Sequence, residues 1–342
     1  MRWWSDGSRT QALGGVTLHA LCGVRPLYHG DRRSVSQALW FGLATLRMIK
    51  EPFDVMDVDQ MPFFPLLSAR LVCSIRRRPL VGTWHEVWGR AYWRAYLGRA
   101  GALGALSEQV AFRMPDRIVS NSSHTTARLL EQKVRRPIST ITLGVDTDRI
   151  SAVVAAGAGS DVIFAGRLLP NKNVALLLDA IGLLLPSRPN LRCLIVGEGP
   201  ERLDLEDRAA RLSLLANVAF LDFFPSHDDL IALMKRSKVF VLPSVREGCG
   251  LVTLEANACG LPVVTVDHPD NASRELVEDG RNGFVVGVDA SAVATAIEKC
   301  LGAHASGTLT PAAGIRDEHD WSTVVERLEG LLRDVACGGP GS

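Results

Sequence analysis

The sequence lacks a strong charge bias, a paired cysteine motif and a long apolar segment. Its 38 Lys and Arg residues nearly balance its 37 Asp and Glu residues, and the net charge of +1 gives no overall attraction to nucleic acid. Seven cysteines without C-x-x-C spacing favour buried free thiols in a reducing compartment over a metal or redox role. No stretch reaches the ~20 apolar residues that span a bilayer, and the first residues lack a signal-peptide core. We therefore expect a cytoplasmic protein without a nucleic-acid partner.

The second half of the chain alternates short β-branched runs with segments of helical periodicity, from "DVIFAG" at 161–166 to "NGFVVGV" at 282–288. This alternation predicts βαβ units and a parallel sheet that is covered on both faces. The first half alternates less cleanly, and its strand candidates are "GVTLHALCG", "FDVMDVD", "RPLVGTWH", "DRIVSNS" and "ISTITLG".

The run "SAVVAAGAGS" at 151–160 has the small-residue composition of a linker. We therefore expect an α/β protein with two doubly wound, Rossmann-like domains at 1–150 and 151–318. A closing amphipathic helix is predicted at 319–336 and a frayed tail at 337–342. Ligands of open parallel sheets bind outside the carboxyl ends of the strands, so we expect the site in a cleft between two such domains.

Two cations lie in one predicted strand-to-helix loop, "FAGRLLPNKN", at Arg167 and Lys172. Such a pair suits a diphosphate, because Arg grips oxygens as a fork and Lys acts as a point charge. Two solvated loop cations are the alternative. The "IVGEGP" turn that follows the next strand is a weak signal on its own, and a full dinucleotide fingerprint is absent.

The stretch "PSVREGCGLVTLEANACGLPVV" carries Glu247 and Glu255, eight positions apart. On one helix they would differ by roughly 80° in azimuth, so we expect Glu247 in a loop and Glu255 inside a helix that begins near Gly250. The unpaired amides from Gly250 to Thr253 would then attract phosphate. Glu255 would accept hydrogen bonds from a ribose diol, and Glu247 would face a sugar. The alternative is a solvated Glu247 and a Glu255 paired with a lysine.

Taken in order and spacing, these segments resemble the second domain of the retaining family-4 glycosyltransferases of GT-B fold. The segments are "FAGRLLPNKN", "LIVGEGPERLDLE", "NVAFLDF", "VFVLPSVREGCGLVTLEANACGLPVV" and "ELVEDGRNGFVV", and the resemblance covers 161–287. The E-x7-E pattern of Glu247 and Glu255 is its most diagnostic element, and "DWSTVVERLEGLL" is similar to the family's closing helix.

The resemblance implies roles for individual residues. Arg167 and Lys172 would bind the donor diphosphate, with no metal and no cofactor, since the nucleoside-diphosphate sugar is a substrate. Glu255 would hold the ribose and Glu247 the donor-sugar hydroxyls. The nucleobase would rest against 218–224, which includes Phe223 and has Asp222 where glycine is common. The turn after Glu247 would supply the backbone donors: Gly248, Cys249, Gly250, Leu251, Val252 and Thr253.

In the first half, "TWHEVWG" resembles the family's strand-end histidine motif, with His85 directed at the reacting centre. The family's opening strand and glycine loop are apparently missing, because only about fifteen residues precede "GVTLHALCG". We expect that Gly14-Gly15 is not that loop, since no strand is predicted before it. We expect either that the chain starts late relative to the family or that its first domain is rebuilt.

The segment 76–99 interleaves arginines with Trp and Tyr, which suits a lipid headgroup boundary or an anionic acceptor. The alternative is an ordinary helix whose arginines reach solvent. We expect peripheral contact with the inner face of the membrane through this segment.

The function expected from these features is transfer of a hexose from a UDP- or GDP-linked sugar to a glycan or lipid-linked acceptor, with retention and without metal. The alternatives are a sugar-nucleotide epimerase or phosphorylase of the same fold, and a non-catalytic or truncated member that only binds nucleotide sugar. A phosphorylase would need a cofactor lysine, for which the sequence shows no signature.

Overall fold

The computed structural model describes residues 10–23, 25–29 and 32–338, which form two compact units. The first comprises residues up to 121, 125–140 and 328 onward; the second comprises 122–124 and 141–327. We expected the boundary inside 151–160, but the units divide earlier, between 140 and 141. The reason is that Val145 and Ile150 belong to the apolar core of the second unit.

Among the described residues the strands and helices alternate along most of the chain. The strands are β1 (Thr10–Leu13), β2 (Val16–His19), β3 (Tyr28–His29), β4 (Arg32–Arg33), β5 (Met56–Asp59), β6 (Leu80–Trp84), β7 (Arg117–Ser120), β8 (Ile138–Thr140), β9 (Val162–Ala165), β10 (Cys193–Val196), β11 (Val218–Leu221), β12 (Val239–Leu242), β13 (Val263–Val266) and β14 (Gly283–Val286). The helices are α1 (Val35–Thr45), α2 (Phe63–Arg76), α3 (Gly89–Leu97), α4 (Gly101–Ala111), α5 (Ser123–Glu131), α6 (Thr147–Ala152), α7 (Val174–Leu184), α8 (Arg202–Arg211), α9 (His227–Met234), α10 (Leu251–Ala258), α11 (Ala290–Ser306), α12 (Ile315–His319) and α13 (Trp321–Gly338).

The second unit is built on a six-stranded parallel sheet with the order β11-β10-β9-β12-β13-β14. Strands β9, β10, β12 and β13 are buried at every position, as expected of β-branched runs covered by helices on both faces. The order reverses direction between β9 and β12, and this reversal defines the switch point of a doubly wound sheet. The predicted α/β fold with parallel sheets is confirmed.

The first unit holds a four-stranded parallel sheet with the sequential order β5-β6-β7-β8. The predicted strand in "GVTLHALCG" exists as β2, but it pairs antiparallel with β1 in a hairpin rather than joining this sheet. Our expectation that no strand precedes Gly14-Gly15 is wrong. These glycines form the turn of the hairpin, with φ of +55° and +82°, a conformation that glycine adopts at little cost.

Other local features follow from single residues. Asp289 caps α11 by accepting from the amides of Ser291 and Ala292, and Ser34 caps α1 through the amide of Gln37. The stretch "ASRELVEDG" begins with a 3₁₀ segment, Ala272–Leu276, and the closing helix runs two residues beyond the predicted end, to Gly338. All seven cysteines are unpaired and four of them are buried, as expected. Within the described ranges, every helix falls short of the length or the apolarity that a bilayer crossing demands.

Candidate active site

The candidate donor site of the second unit lies at the carboxyl ends of β9 and β12, on either side of the switch point. Arg167 follows β9 and is exposed, and Glu247 follows β12. The two loops are joined by their backbones, because the amide of Val245 donates to the carbonyl of Asn171 at 2.9 Å. The Asn171 side chain in turn donates to the carbonyl of Arg246 at 3.2 Å. Neighbouring strands therefore bring together residues that are 75 positions apart.

Lys172 and Glu247 form an ion pair across these loops. Lys172 Nζ lies 2.6 Å from Glu247 Oε1, and the two side chains are only 19% and 11% exposed. The backbone of Glu247 is held as well, since its amide donates to Asp270 O and its carbonyl accepts from Ala272, both at 3.0 Å. Because little water surrounds the pair, the attraction between its two charges is stronger than it would be at the surface. Removing either side chain would leave the other charge uncompensated.

The turn after Glu247 leads directly into α10. Gly250 is its N-cap, with φ of +79°, and a Cβ at this position would come within 2.4 Å of Ser273 Cβ. We expected four unpaired amides, from Gly250 to Thr253, but the amide of Thr253 donates to Gly250 O at 2.8 Å. The amides of Leu251 and Val252 remain in the first turn, where helix geometry provides no intrahelical partner. The sulfur of Cys249 is buried, which raises its pKa to about 11, so this residue offers only its backbone.

Two hydroxyl groups beside this turn are buried without a hydrogen-bond partner among the described residues: Ser244 Oγ and Thr253 Oγ1. Unpaired buried polar atoms are costly, and they are found where a ligand or water completes the site. No pattern in the sequence distinguishes Ser244, because serine is a common residue in the turn that follows a strand.

Glu255 points towards α9 and not towards a lysine. Its Oε1 lies 3.0 Å from Nε2 of His227, the first residue of α9. Burial raises the pKa of the Glu255 carboxyl above its usual value, and the neighbouring imidazole opposes that shift. His227 was not singled out in the sequence, because no pattern links a helix-start histidine to an acid in another helix.

The segment predicted to contact the nucleobase, 218–224, consists of the edge strand β11 and the three residues after it. Phe223 is 45% exposed, so one face of its ring is open to solvent. Arg202 lies beneath the segment, with its guanidinium carbon 5.1 Å from the Phe220 ring centre and Nη1 3.5 Å from Asp222 Oδ1. Asp222, which stands where glycine is common in the family it resembles, is therefore a partner of α8.

The glycines of "IVGEGP" are explained by close backbone packing. A Cβ on Gly197 would come within 1.9 Å of Gly166 O, and one on Gly199 within 2.3 Å of Leu168 O. These glycines let the loops after β9 and β10 approach each other, which positions the segment that carries Arg167. Their role is structural in the described residues.

His85 lies in the first unit, at the carboxyl end of β6. Its backbone amide donates to Oε1 of the buried Gln60 at 2.7 Å, and its Nε2 lies 2.8 Å from Asp59 Oδ1. The Asn121 amide nitrogen lies 3.4 Å from Nδ1, and Thr125 Oγ1 donates to the His85 carbonyl at 3.3 Å. With Asn121 donating to Nδ1, the ring proton sits on Nε2 and is donated to Asp59.

The hydrogen bond to Asp59 raises the pKa of His85 above its ordinary value, and the charges of Asp59, Asp57 and Glu86 act in the same direction. The same hydrogen bond lowers the pKa of Asp59. Asp57 differs, because burial raises the pKa of its carboxyl although Thr83 Oγ1 donates to it at 2.9 Å.

The aromatic residues of segment 76–99 pack mainly against one another. Trp84 is fully buried, and the Trp88 ring centre lies 4.5 Å from that of Tyr92 and 4.6 Å from that of Trp93. Glu108, itself buried, accepts from Trp93 Nε1 at 3.1 Å. Membrane contact through this segment stays a prediction.

The second unit therefore contains Arg167, Lys172, Glu247, the glycine turn and Glu255, and it joins Lys172 directly to Glu247, whereas His85 belongs to the first unit. Among the residues that the structure describes, no group of three or more His, Cys, Asp or Glu residues is arranged to hold a metal ion.

Two family models match the two halves of the chain. Residues 148–303 match "Glycosyl transferases group 1", and residues 6–149 match "Glycosyltransferase Family 4". A curated relative, the phosphatidyl-myo-inositol mannosyltransferase of Mycobacterium tuberculosis, is 29% identical over 322 residues, which cover 88% of this chain and 80% of the relative.

Solved structures with the same fold cover most of the chain. A sucrose-phosphate synthase from Thermosynechococcus elongatus matches with a TM-score of 0.76 and 19% identity, over 98% of this chain and 87% of its own. An Anabaena protein solved with UDP and glucose matches with a TM-score of 0.72 and 22% identity, over 88% and 83%. At these identities the similarity shows the fold.

Proposed function

This chain belongs to the group 1, family-4 glycosyltransferases, and we propose that it moves a hexose from a UDP- or GDP-linked sugar to a hydroxyl of a glycan or lipid-linked acceptor, with retention of configuration. The observation that carries the proposal is the set of cations, glycine turn and carboxylates at the switch point of the second unit. The mannosyl transfer to phosphatidyl-myo-inositol named for the Mycobacterium tuberculosis relative supports a hexose donor and a lipid-linked acceptor.

Lys172 and Glu247 would contact two adjoining parts of the donor, the diphosphate and the sugar. The 2.6 Å pair holds both side chains in place before a ligand arrives, so little side-chain entropy remains to be lost on binding. The ammonium of Lys172 and the guanidinium of Arg167 would face the diphosphate, and the Glu247 carboxylate would accept from sugar hydroxyls. The amides of Leu251 and Val252 would complete the phosphate site at the α10 N-terminus.

Glu255 would accept hydrogen bonds from the ribose hydroxyls after releasing His227. Phe223, with its exposed ring, would contact the nucleobase. His85, held by Gln60 and Asn121, would contact the donor sugar, and the carboxylate of Asp59 would keep its ring oriented.

Catalysis would be electrostatic. As the bond between the sugar C1 and the diphosphate oxygen breaks, charge develops on that oxygen, and Arg167, Lys172 and the turn amides stabilise it. The acceptor hydroxyl would attack C1 from the face that the diphosphate leaves, and its proton would pass to the departing phosphate oxygen. Because Arg167, Lys172 and the turn amides would neutralise the charge of the diphosphate, we propose that no metal is required and that no cofactor takes part. We also propose that the enzyme works in the cytoplasm.

Two alternatives are tested by the same experiment. An epimerase would convert the donor into its epimer without net release of nucleotide, and a non-catalytic member would bind the donor and leave it unchanged. The protein is incubated with UDP- and GDP-hexoses, with and without a membrane lipid extract, and nucleotide release is measured. We expect acceptor-stimulated release that is unchanged by EDTA. Donor binding without any acceptor-stimulated release would refute the transferase proposal, and loss of activity in EDTA would refute metal independence.

The cation site is tested by Lys172→Met, with Lys133→Met in the first unit as the matched control. Loss of one charge-assisted contact costs about 1.5–3 kcal/mol, so we expect the dissociation constant of the free nucleoside diphosphate to rise roughly 10- to 100-fold in calorimetry. The control should bind as the parent does. Equal affinities in the parent protein and Lys172→Met would contradict the cation role.

A further inference from the structure

The four residues that join β6 to α3 are held by two buried polar side chains from other elements. We call this segment, residues 85–88, the His85 loop. Gln60 follows β5 and Glu108 lies in α4, and each of the two is only 1% exposed. A charged or amide group that is buried so completely is costly unless it is hydrogen-bonded. The chemistry proposed above makes no use of Glu108, so its contacts require another explanation.

Glu108 binds the end of the His85 loop that leads into α3. Its Oε1 accepts from the amide of Trp88 and its Oε2 from the amide of Gly89, both at 2.8 Å. Trp88 is the N-cap of α3 and Gly89 its first residue, and the amides at this end of a helix have no intrahelical partner. Glu108 therefore caps α3 from another helix, with its negative charge at the positive end of the helix dipole.

Close packing of α3 against α4 brings a further donor to the same carboxylate. Gly104 lies one turn before Glu108 on the same face of α4. A Cβ on Gly104 would come within 2.2 Å of Trp93 Cε3, so a glycine is needed for the Trp93 ring to lie directly on this face. From there the ring nitrogen Nε1 donates to Glu108 Oε2 at 3.1 Å. The carboxylate is therefore held by the body of α3 as well as by its first amides.

Gln60 binds the opposite end of the His85 loop. Its Oε1 accepts from the amide of His85 at 2.7 Å, and its Nε2 donates to the carbonyl of Glu86 at 3.1 Å. The backbone of Gln60 is itself fixed, because its amide donates to the carbonyl of Thr83 in β6 at 2.9 Å. The residue that carries the imidazole is thus held at its own amide and at the carbonyl of the next residue.

The two side chains are not interchangeable. The loop presents an amide and a carbonyl to Gln60, and a side-chain amide can accept from the first and donate to the second. It presents two amides to Glu108, to which the Trp93 indole adds a third donor, and an ionised carboxylate can accept from all three. This match of donors to acceptors indicates that the conformation of the loop is specified, because side chains that only filled space would not need it.

We propose that Gln60 and Glu108 are positioning residues of the transfer reaction, which hold the His85 loop so that the imidazole keeps one orientation for the donor sugar. The proposal rests on the function proposed above, in which His85 contacts that sugar. Gln60 and Glu108 touch no substrate in this scheme, and each acts through the backbone of the loop. A reacting geometry that is fixed in advance lowers the barrier, so a loosened loop should reduce turnover more than donor binding.

The test uses two isosteric variants of the full chain, Gln60→Glu and Glu108→Gln. The first sets a carboxylate oxygen against the Glu86 carbonyl, and the second leaves one acceptor oxygen for three donors. We expect each to lower the kcat of acceptor-stimulated nucleotide release on the order of 10- to 100-fold. The dissociation constant of the free nucleoside diphosphate, measured by calorimetry, should be unchanged, because the groups proposed to bind it lie in the second unit. Glu131→Gln, the same chemical change at an exposed glutamate of α5, is the matched control and should behave as the parent does.

A second measurement follows the imidazole itself. The hydrogen bond with Asp59 is the main cause of the raised pKa of His85, so the midpoint of the His85 titration in NMR reports whether the ring still meets Asp59. We expect this midpoint to fall towards the ordinary histidine value in Glu108→Gln and to stay at the parent value in Glu131→Gln. A role of Glu108 confined to the stability of α3 would leave the midpoint where it is in the parent.

Either of two results overturns the proposal: an unchanged kcat in either isosteric variant, or a lowered kcat in Glu108→Gln with the His85 midpoint of the parent. If Glu108→Gln melts below the assay temperature, Gln60→Glu decides alone. A nucleotide affinity that then falls as much as kcat would show a general loss of structure and would also overturn it. If the parent releases no nucleotide from any donor, the proposed function fails, whereas the His85 titration still decides whether Glu108 positions the ring.

Discussion

At the scale of single residues, the side chains that we propose bind the donor already form ion pairs within the protein. Lys172 pairs with Glu247, and Glu255 pairs with His227. Each carboxylate that we propose to contact sugar or ribose therefore has a protein partner that orients it. Binding would exchange these partners for hydroxyl groups, so the strength of each pair bears on nucleotide affinity.

We predict that His227→Asn strengthens binding of the free nucleoside diphosphate. Removing a partly exposed competitor for Glu255 is worth about 0.2–1 kcal/mol, which corresponds to a gain of up to roughly fivefold in calorimetry at pH 7. His304→Asn, an exposed histidine of α11, serves as control and should have no effect. A loss of affinity in His227→Asn would mean that the imidazole itself contacts the nucleotide.

We predict that Asp59→Asn lowers the midpoint of the His85 titration in NMR towards the ordinary histidine value, because Asp59 is the main cause of its raised pKa. Since the folded-state pKa of His85 is raised and that of Asp59 is lowered, the pair stabilises the protein most between about pH 4 and pH 6.5. That contribution is lost as the pH rises through the raised value. It should be about 0.2–1 kcal/mol, because the pair is partly exposed.

Denaturation of the parent protein and Asp59→Asn at pH 6 and pH 9 checks this sign. The difference in unfolding free energy should be larger at pH 6. A difference that is larger at pH 9 would show that Asp59 stabilises the fold through another partner.

At the scale of elements, the glycine turn before α10 decides where the helix N-terminus lies. Gly250 combines a left-handed φ with close contact to Ser273, and neither feature tolerates a Cβ. The 3₁₀ segment that carries Ser273 is itself held by Asn271, whose buried amide donates to Val266 O at 2.7 Å. Strand β13 therefore supports the turn through Asn271 and the 3₁₀ segment, and this support fixes the position of the α10 amides.

We predict that Gly250→Ala destabilises the protein by about 1–3 kcal/mol, from strain and overpacking combined, and weakens nucleotide binding at least tenfold. The matched control is Gly302→Ala in α11, where a Cβ meets nothing within 4 Å and helix propensity favours alanine. Thermal unfolding and calorimetry report both effects. Unchanged nucleotide affinity in Gly250→Ala would remove the turn from the binding site.

At the scale of the whole molecule, the two units differ in their cores. The core of the second unit draws on all six strands and the helices around them, whereas the described core of the first unit surrounds a four-stranded sheet. Six of the seven tryptophans lie before residue 141, and the remaining one is Trp321. Tryptophan fluorescence therefore reports almost entirely on the first unit.

We predict that unfolding in urea is not two-state, with the tryptophan transition at a lower concentration than the transition in far-ultraviolet circular dichroism. A saturating nucleoside diphosphate should raise the midpoint of the dichroism transition more than that of fluorescence, because it binds the second unit. Coincident transitions, shifted equally by the nucleotide, would show that the chain unfolds as one cooperative body.

Much of the second unit could be predicted from sequence because local signals agree there. The structure matches four of these predictions: buried β-branched strands, glycine at strand ends, the placement of Glu247 in a loop and Glu255 in a helix, and a helix that begins beside Gly250. The first unit was harder to predict, because the strand-like pattern of β2 does not indicate which strand it pairs with. The pairing of β2 with β1 depends on the turn at Gly14-Gly15, and the sequence pattern predicted no strand before that turn.

The sequence by itself determined the α/β class, the family and the candidate site residues, because periodicity and motif spacing are local properties of the chain. Only the tertiary structure decided the partners of those residues. Lys172 with Glu247, Glu255 with His227 and His85 with Asp59 are joined across neighbouring elements, by strand order and loop packing that no local pattern encodes.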